Sequence, residues 1–418
     1  MNKFILLAAG TIALAAPARA DDCTVAVGVV MELTGPAGEY GQAGAKSVEM
    51  AFRDLNDAGG PHGCKLVADT RDSQSQGSLA VDAANQLVQL KKVPVIIGGI
   101  ISSVSIPILT SVTGPDKIVQ VSPASSSPTL TNLGREGKTN GMFFRTITSD
   151  ALQGTAAAKY ALDQGFKKIA VIHVNNDFGV NMLNEFAKAY KALGGQIVSV
   201  SPYNEKQSSY DAEASKGIAA HPDGLYLIAT PVDGATIARA WISQGGPAKF
   251  LLNDGMNSPD FIASVGARYL NEAYGTSSGA TPTASTEYFN ANYKAFSGGI
   301  DPSNPAADRA YDAAAIVGLA IAAAPTQDPV AIRDAIFKVT ANDGAPIHAG
   351  KADFAKALDL LKAGKPIRYE GVIGPVSFDQ YGDITGPFRL WKIADGKVTT
   401  VGEMSTDDVN AIKARIDK

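Results

Sequence analysis

Histidine, cysteine and tryptophan are scarce in this chain of 418 residues. It has four histidines, two cysteines and two tryptophans, and charged residues make up 19% of the sequence, with a formal net charge of −4. The histidines and cysteines lack the close spacing of a metal site. They are Cys23, Cys64, His62, His173, His221 and His348. A low, slightly negative charge argues against a nucleic-acid partner. We therefore expect no metal, no cofactor and no binding to nucleic acid.

Long apolar runs are also missing, apart from one at the N-terminus. The run from 4 to 16 follows Lys3 and leads into the small-x-small pattern Ala18-Arg19-Ala20. It is shorter than the roughly 20 apolar residues of a membrane helix and has the layout of a secretory signal. We expect residues 1–20 to be a signal peptide cleaved after Ala20, which places the mature chain in the periplasm. Cys23 lies two residues too far from the cleavage site to accept a lipid.

The two cysteines both lie early in the mature chain. Cys23 precedes a strand predicted at 24–30, and Cys64 precedes a strand predicted at 65–68. Export to an oxidising compartment favours a disulfide, and neighbouring parallel strands that start together would bring the two sulfurs within reach. Two free thiols or a metal-binding pair are the alternatives.

The remaining sequence alternates short apolar runs with amphipathic stretches. Strands predicted at 24–30, 65–69, 93–97 and 118–121 are separated by helical patterns, and a second series of the same kind starts near 150. This order predicts parallel sheets with helices on both faces. The chain is long enough for two such domains. We therefore expect an α/β protein with two doubly wound lobes.

Serine-rich loops follow two of the predicted strands. Residues 93–97 (VPVII) lead into 98–103 (GGIISS), and residues 118–121 (IVQV) lead into 122–127 (SPASSS). Ligands of open α/β sheets bind at the carboxyl ends of the strands. Hydroxyls and backbone N–H groups there suit a small anion such as a carboxylate. Neither loop has a nucleophile and base pattern, which favours binding over catalysis.

Several motifs occur together in a fixed order along the chain. They are 33–41 (LTGPAGEYG), 56–60 (NDAGG), 97–99 (IGG), 121–124 (VSPA), 177–179 (DFG), 374–379 (GPVSFD) and 382–383 (GD). In this combination the chain resembles the periplasmic Leu/Ile/Val-binding protein family, the receptors of branched-chain amino acid ABC transporters. The resemblance covers essentially the whole mature chain.

The resemblance implies a type I periplasmic binding protein, in which two α/β lobes are joined by three crossovers and close over a ligand. The crossovers would fall near 146–149, 278–281 and 369–371. Lobe one would comprise 21–147 and 280–370, and lobe two 148–279 and 371–418. The expected ligand is a branched-chain or other apolar amino acid, delivered by a monomer to a membrane ABC permease.

The resemblance also places ligand contacts on the first lobe. Ser102 would hold the ligand carboxylate, with a simple helix-capping serine as the structural alternative. Ala124 would offer its carbonyl to the ammonium, Ser126 and less directly Ser125 would add hydroxyls, and Tyr40 would line the mouth of the cleft.

Three further contacts are expected from the second lobe. Phe178 stands where the family usually has tyrosine and would cover the ligand. Asp254 would pair with the α-ammonium, although the family more often has glutamate. Thr230 stands where many members carry an aromatic residue, which leaves space and makes an aromatic or other small carboxylic acid an alternative ligand.

Two other functions remain open. The protein could be the ligand-sensing subunit of a membrane receptor, since the binding chemistry would be the same. A secreted serine hydrolase is the enzymatic alternative, because 275–279 (GTSSG) matches the G-x-S-x-G pattern, with Ser277 as nucleophile and Asp308 and His348 as partners. No helix is predicted directly after this pattern, so we expect a protein that is not an enzyme.

Overall fold

The structure is a computed structural model that describes residues 23–416. Numbered in chain order, its strands are β1 (Thr24–Met31), β2 (Lys65–Asp72), β3 (Val95–Gly98), β4 (Val119–Ser122), β5 (Phe143–Arg145), β6 (Lys168–Val174), β7 (Gln196–Tyr203), β8 (Gly224–Ile228), β9 (Lys249–Leu252), β10 (Glu272–Ser278), β11 (Ala345–Ile347), β12 (Ile367–Gly371), β13 (Gly374–Pro375), β14 (Phe388–Ala394) and β15 (Lys397–Met404). They form three sheets, with the orders β2-β1-β3-β4-β5, β15-β14-β10-β9-β8-β6-β7 and β11-β12-β13.

Helices cover the two large sheets. They are α1 (Gly38–Asp57), α2 (Gly77–Asn85), α3 (Ser102–Ile108), α4 (Pro128–Arg135), α5 (Asp150–Asp163), α6 (Asp177–Ala192), α7 (Asp211–Ala219), α8 (Pro231–Ser243), α9 (Pro259–Val265), α10 (Ala284–Phe296), α11 (Ala307–Ala323), α12 (Pro329–Val339), α13 (Lys351–Lys362) and α14 (Thr406–Ile416). The five-stranded sheet is parallel throughout, and the second sheet is parallel except at β14 and β15. The expectation of two doubly wound α/β lobes is confirmed.

Close packing in the first lobe depends on small residues of α11. This alanine-rich helix is buried along nearly its whole length and packs on α1. A Cβ at Gly318 would lie 2.3 Å from Cδ1 of Leu55, so a larger residue here would displace the buried Leu55 side chain. The central strands β3 and β4 are buried on both faces, which explains the continuous apolar sequence of β3. The buried Gln120 of β4 donates to the Gly98 carbonyl at 2.9 Å.

The chain passes between the two lobes three times. The passages lie between β5 and α5, between β10 and α10, and between β13 and β14. Thr148 in the first passage forms a bridge with Ile384 in the third, and its hydroxyl donates to the Ser278 hydroxyl at 2.8 Å. Thr148 therefore links the first connection to both of the others by hydrogen bonding.

The stretch from 372 to 384 packs against the first lobe, whereas the sequence expectation assigned residues 371–418 to lobe two. Val372, Ile373 and Val376 are buried in the core of the first lobe. Asp383 accepts an ion-paired hydrogen bond at 2.6 Å from Arg145 of β5. These contacts hold the stretch against the first lobe, and the chain joins the second sheet only at β14.

The two cysteines form a disulfide, as the positions of their strands suggested. The parallel register pairs Thr24 with Lys65, so Cys23 and Cys64 lie side by side with their Cα atoms 4.6 Å apart. The alternatives of free thiols and of a metal-binding pair are wrong.

The predicted signal peptide at 1–20 lies outside the described residues. Within 23–416, no helix combines the length and the apolar character that crossing a membrane requires.

Candidate functional site

A cavity of about 290 Å³ lies between the lobes, where strands of both large sheets end. Its size suits a small organic molecule. Seven of the eight residues expected to contact a ligand line it, namely Tyr40, Ser102, Ala124 and Ser126 from the first lobe and Phe178, Thr230 and Asp254 from the second. Residues far apart in sequence therefore face a single space.

A buried carboxyl group shapes the first serine loop. Glu32 follows β1 and is fully buried, and it accepts hydrogen bonds from the backbone N–H groups of Ile100 and Ile101 at 3.0–3.1 Å. Burial raises the pKa of Glu32 to about 7, although these two hydrogen bonds oppose the increase. Because both N–H groups are used by Glu32, the polar groups that the loop offers to the cavity begin at Ser102.

Ser102 joins the two serine loops. Its hydroxyl oxygen accepts a hydrogen bond from the backbone N–H of Ser127 at 3.2 Å. The N-cap of α3 is Ile101, so the reading of Ser102 as a capping serine is wrong. The hydroxyl hydrogen of Ser102 is not used in this contact and can be donated toward the cavity.

Ser126 forms two hydrogen bonds with Asp150, the first residue of α5. The Ser126 hydroxyl donates to Oδ2 of Asp150 at 2.9 Å, and the Asp150 N–H donates to the Ser126 carbonyl at 2.9 Å. Burial and the nearby charge of Asp254 raise the pKa of Asp150 well above its usual range. A protonated Asp150 can itself donate to Ser126 and so release the serine hydrogen for another acceptor.

Ser125 is the predicted residue that does not line the cavity. It is fully buried, and its hydroxyl lies within hydrogen-bonding distance of the Ser105 hydroxyl at 2.7 Å and the Ile100 carbonyl at 3.1 Å. The Arg145 guanidinium donates to the carbonyls of Ser125 and Ser127 at 3.1 and 3.0 Å. Ser125 therefore fixes the second loop against the first, and its neighbour Ser126 faces the cavity.

The second lobe contributes a carboxyl group and an unpaired hydroxyl. Asp254 begins a 3₁₀ turn after β9 and accepts hydrogen bonds from the Gly255 N–H at 3.0 Å and the Asn253 amide at 3.3 Å. Burial raises the pKa of Asp254, while these hydrogen bonds and the charge of Arg309 lower it. The Thr230 hydroxyl is buried at the cavity wall and has no hydrogen-bond partner among the described residues. Such a group is satisfied when a polar ligand atom reaches it.

Apolar side chains line another part of the cavity. Phe178, in the first turn of α6, packs against two of the hydrophobic clusters of the second lobe, and Ile100, Ile101 and Ile147 face the cavity from the opposite lobe. A ligand held here has polar groups near the serines and Asp254 and an apolar wall beside them.

Two hydrogen bonds join the lobes at the mouth of the cavity. The Tyr40 hydroxyl donates to the Gly255 carbonyl at 2.5 Å, and the Ser258 hydroxyl donates to Glu39 at 2.6 Å. Burial raises the pKa of Glu39 to about 7. Both contacts require the lobes to lie together, so the structure has a closed cleft.

Sequence reasoning missed two arginines that line the cavity, Arg309 of α11 and Arg389 of β14. Arg309 forms a two-point ion pair with Asp308 at 2.8–2.9 Å and donates to the Ser278 carbonyl at 2.8 Å. Its backbone carbonyl accepts from the Thr146 hydroxyl at 2.9 Å. No local sequence pattern marks either arginine, because the positions of both at the cavity depend on how the chain passes between the lobes.

The hydrolase arrangement does not form. Ser277 lies within β10 opposite Arg389 of β14, and no helix begins at this point. Asp308 pairs with Arg309, and His348 contacts Glu370 at 3.2 Å. The acid and the histidine of the supposed triad are thus engaged with other partners.

Comparison with known proteins places the chain in a family. A sequence model of the periplasmic binding protein family matches residues 24–397. The chain belongs to this family. The expectation drawn from its motifs is confirmed, and periplasmic binding proteins are solute-binding proteins that work outside the cytoplasm.

Similar proteins cover nearly the whole chain. The Leu/Ile/Val-binding protein homolog 3 of Brucella melitensis is 27% identical over 93% of this chain and 96% of its own. The substrate-binding protein BasB of a chemotactic signal transduction system in Halobacterium salinarum is 25% identical over 90% and 88%. A crystal structure of a leucine-binding protein from Thermotoga maritima has a TM-score of 0.77 at 22% identity and covers 92% of this chain and 99% of its own, which supports the fold.

Proposed function

We propose that this periplasmic binding protein captures an amino acid between its lobes as a monomer and delivers it to a membrane ABC permease. The observation that carries the proposal is the polarity of the cavity. Serine hydroxyls of the first lobe and the carboxyl group of Asp254 of the second lobe face the same space. This arrangement matches the two charged ends of an α-amino acid, and two of the similar proteins are named for leucine or Leu/Ile/Val binding.

The carboxylate of the ligand would lie at the serine loops. Ser102 has a hydroxyl hydrogen to donate, because its oxygen is the acceptor in the contact with Ser127. Ser126 gains one when protonated Asp150 becomes the donor in their hydrogen bond. Two hydroxyl donors suit a carboxylate, and neither carries a charge.

The ammonium would lie between the lobes, near Asp254 of the second lobe. Asp254 supplies the opposite charge, and the carbonyl of Ala124 and the hydroxyl of Thr230 supply further acceptors. An ammonium beside Asp254 also stabilises the ionised carboxylate, which burial disfavours in the free protein. The apolar part of the ligand would then contact Phe178 and the isoleucines.

Closure links binding to delivery. The contacts of Tyr40 with Gly255 and of Ser258 with Glu39 exist only when the lobes are together. A ligand that contacts both lobes shifts the population toward this form. The closed form presents the two lobes in the relative position that a permease can recognise.

The requirement for an α-amine tests the proposal. Calorimetry of the mature protein would compare each amino acid with the acid that lacks only its amine, for example leucine with 4-methylpentanoate. We expect binding of the amino acid and a large loss for its amine-free partner. Binding confined to amine-free acids, including aromatic ones, would replace the amino-acid proposal with a carboxylic-acid receptor.

A sensing role is the second candidate, because one similar protein belongs to a chemotactic signalling system. Deleting the gene and measuring both uptake of the labelled ligand and movement toward it separates the two roles. Loss of uptake supports delivery to a permease, and loss of chemotaxis with normal uptake supports sensing.

A further inference from the structure

We propose that the preferred amino acid carries a second carboxylate at the far end of an apolar side chain, and that Arg389 binds it. This inference rests on the proposed function and narrows its ligand class. The argument begins with the charged side chains that line the cavity. Within residues 23–416 these are Asp254, Asp308, Arg309 and Arg389.

Two of the four charges neutralise each other. The Arg309 guanidinium contacts both carboxylate oxygens of Asp308, at 2.9 and 2.8 Å. The remaining charges are one carboxyl group, Asp254, and one guanidinium, Arg389. The ammonium of an amino acid compensates the first of them. Its α-carboxylate, held by uncharged serines, leaves Arg389 without a carboxylate in direct contact, since Asp308, whose charge attracts Arg389, is bound by Arg309.

Arg389 has no partner within the described part of the protein. Its side chain makes no hydrogen bond and no ion pair there, although the residue is half-buried and the charges of Asp308 and Glu403 act on it. Glu403 is its cross-strand neighbour on β15 but is exposed and does not reach it. Burial and the adjacent charge of Arg309 lower the pKa of Arg389, and the charges of Asp308 and Glu403 oppose this decrease. A half-buried guanidinium without a direct partner is free to pair with an anion in the cavity.

Arg309 provides a second free donor in the same region. Its Nε is buried and has no hydrogen-bond partner among the described residues. A carboxylate between the two arginines would therefore meet one complete guanidinium and one additional N–H group. Planar guanidinium groups recognise carboxylates by paired hydrogen bonds.

Matched ligands test the inference directly. The side chains of L-2-aminoadipate and L-norleucine have the same length and differ in ending with a carboxylate or a methyl group. We expect calorimetry to show tighter binding of aminoadipate by the wild-type protein. Arg389→Gln should weaken aminoadipate roughly thirtyfold and leave norleucine unchanged. Lys392→Gln is the control, because it removes a positive charge from an exposed position of the same strand.

The outcomes separate this inference from the proposed function. If wild-type protein binds norleucine at least as well as aminoadipate, the second carboxylate is wrong and the amino-acid function stands. If Arg389→Gln weakened the binding of both ligands equally, Arg389 would bind the α-carboxylate or support the fold. If it changed the affinity for neither ligand, Arg389 would have no role in binding. Both results overturn the inference. Binding of amine-free acids alone would overturn the function itself.

Discussion

The hydroxyl of Tyr40 in the first lobe donates a hydrogen bond of 2.5 Å to the carbonyl oxygen of Gly255 in the second lobe. Gly255 directly follows Asp254, which faces the cavity. The side chain that closes the mouth therefore contacts the turn that carries the proposed ammonium-binding group. The short segment after β9 therefore takes part in lobe closure through Gly255 and in the proposed ligand site through Asp254.

Tyr40→Phe should weaken the closed form while keeping the aromatic ring. Loss of one hydrogen bond across the lobes should reduce ligand affinity by about 0.5–1.5 kcal/mol, mainly through faster release. Calorimetry and stopped-flow fluorescence would measure the two quantities. Tyr381→Phe removes a hydroxyl away from the cavity and should change neither. An unaltered release rate in the Tyr40 variant would argue against the closing role.

Asp254→Asn should reduce affinity for amino acids by about 2–5 kcal/mol, because the ammonium would be buried without its charge partner. The asparagine keeps nearly the same size, so the effect reports the charge. Asp163→Asn, on an exposed ion pair with Lys159 in the same lobe, serves as the control. Equal affinities of the Asp254 variant and wild type in calorimetry would remove Asp254 from the proposed site.

Glu32 should make the stability of the protein depend on pH. Its pKa is raised from 4.5 to about 7 on folding, so the folded state binds more protons than the unfolded state between these values. The free energy of unfolding should therefore be highest below pH 4.5, fall as pH rises toward 7, and level off above. The full change from this group is about 3 kcal/mol.

Urea unfolding of wild type and Glu32→Gln from pH 4.5 to 8 would measure this contribution. The variant loses some stability at every pH, because its amide NH2 group replaces the second oxygen that accepts from the Ile100 N–H. The informative quantity is the pH slope, which should be smaller in the variant. Glu136→Gln, at an exposed ion pair, should keep the wild-type slope. Parallel profiles for Glu32→Gln and wild type would refute the assignment.

The disulfide should stabilise the folded protein by restricting the unfolded chain. Cys23 and Cys64 are separated by 41 positions, and a closed loop of that length contributes about 4 kcal/mol in the chain-entropy model. Cys23→Ser combined with Cys64→Ser should lower the free energy of urea unfolding by this order. Reduced wild type should behave like the double variant, and oxidised wild type that is no more stable than either would contradict the prediction.

Much of the fold could be predicted because its signals are local. Continuous apolar runs mark buried parallel strands, and the loops directly after them face the cleft by topology alone. This reasoning placed the two serine loops at the cleft, and the family resemblance singled out Ser102 and Ser126, which line the cavity. It also located the disulfide, since two parallel strands that start together bring the preceding cysteines side by side.

The remaining features depend on contacts that local patterns do not contain. Ser125 and Ser126 look equivalent in sequence, yet the turn directs one hydroxyl to Ser105 and the other to the cavity. Arg309 and Arg389 come from a helix of one lobe and a strand of the other, and only the crossings bring them together. The stretch at 372–384 packs against the first lobe through its buried side chains and through the ion pair of Asp383 with Arg145. Sequence motifs alone do not show these contacts, so a domain boundary based on motifs misses them.

Arg309 belongs both to the cavity and to the connections between the lobes. Its carbonyl holds Thr146 in the first passage, and its guanidinium holds the carbonyl of Ser278 in the second. A bend in these connections must move the guanidinium, and an anion that fixes the guanidinium must resist the bend. Such coupling is reciprocal. Substitutions in the connections, at positions that no ligand touches, should therefore change the affinity for the ligand. The energy needed to bend the backbone connections would then contribute to the free energy of binding.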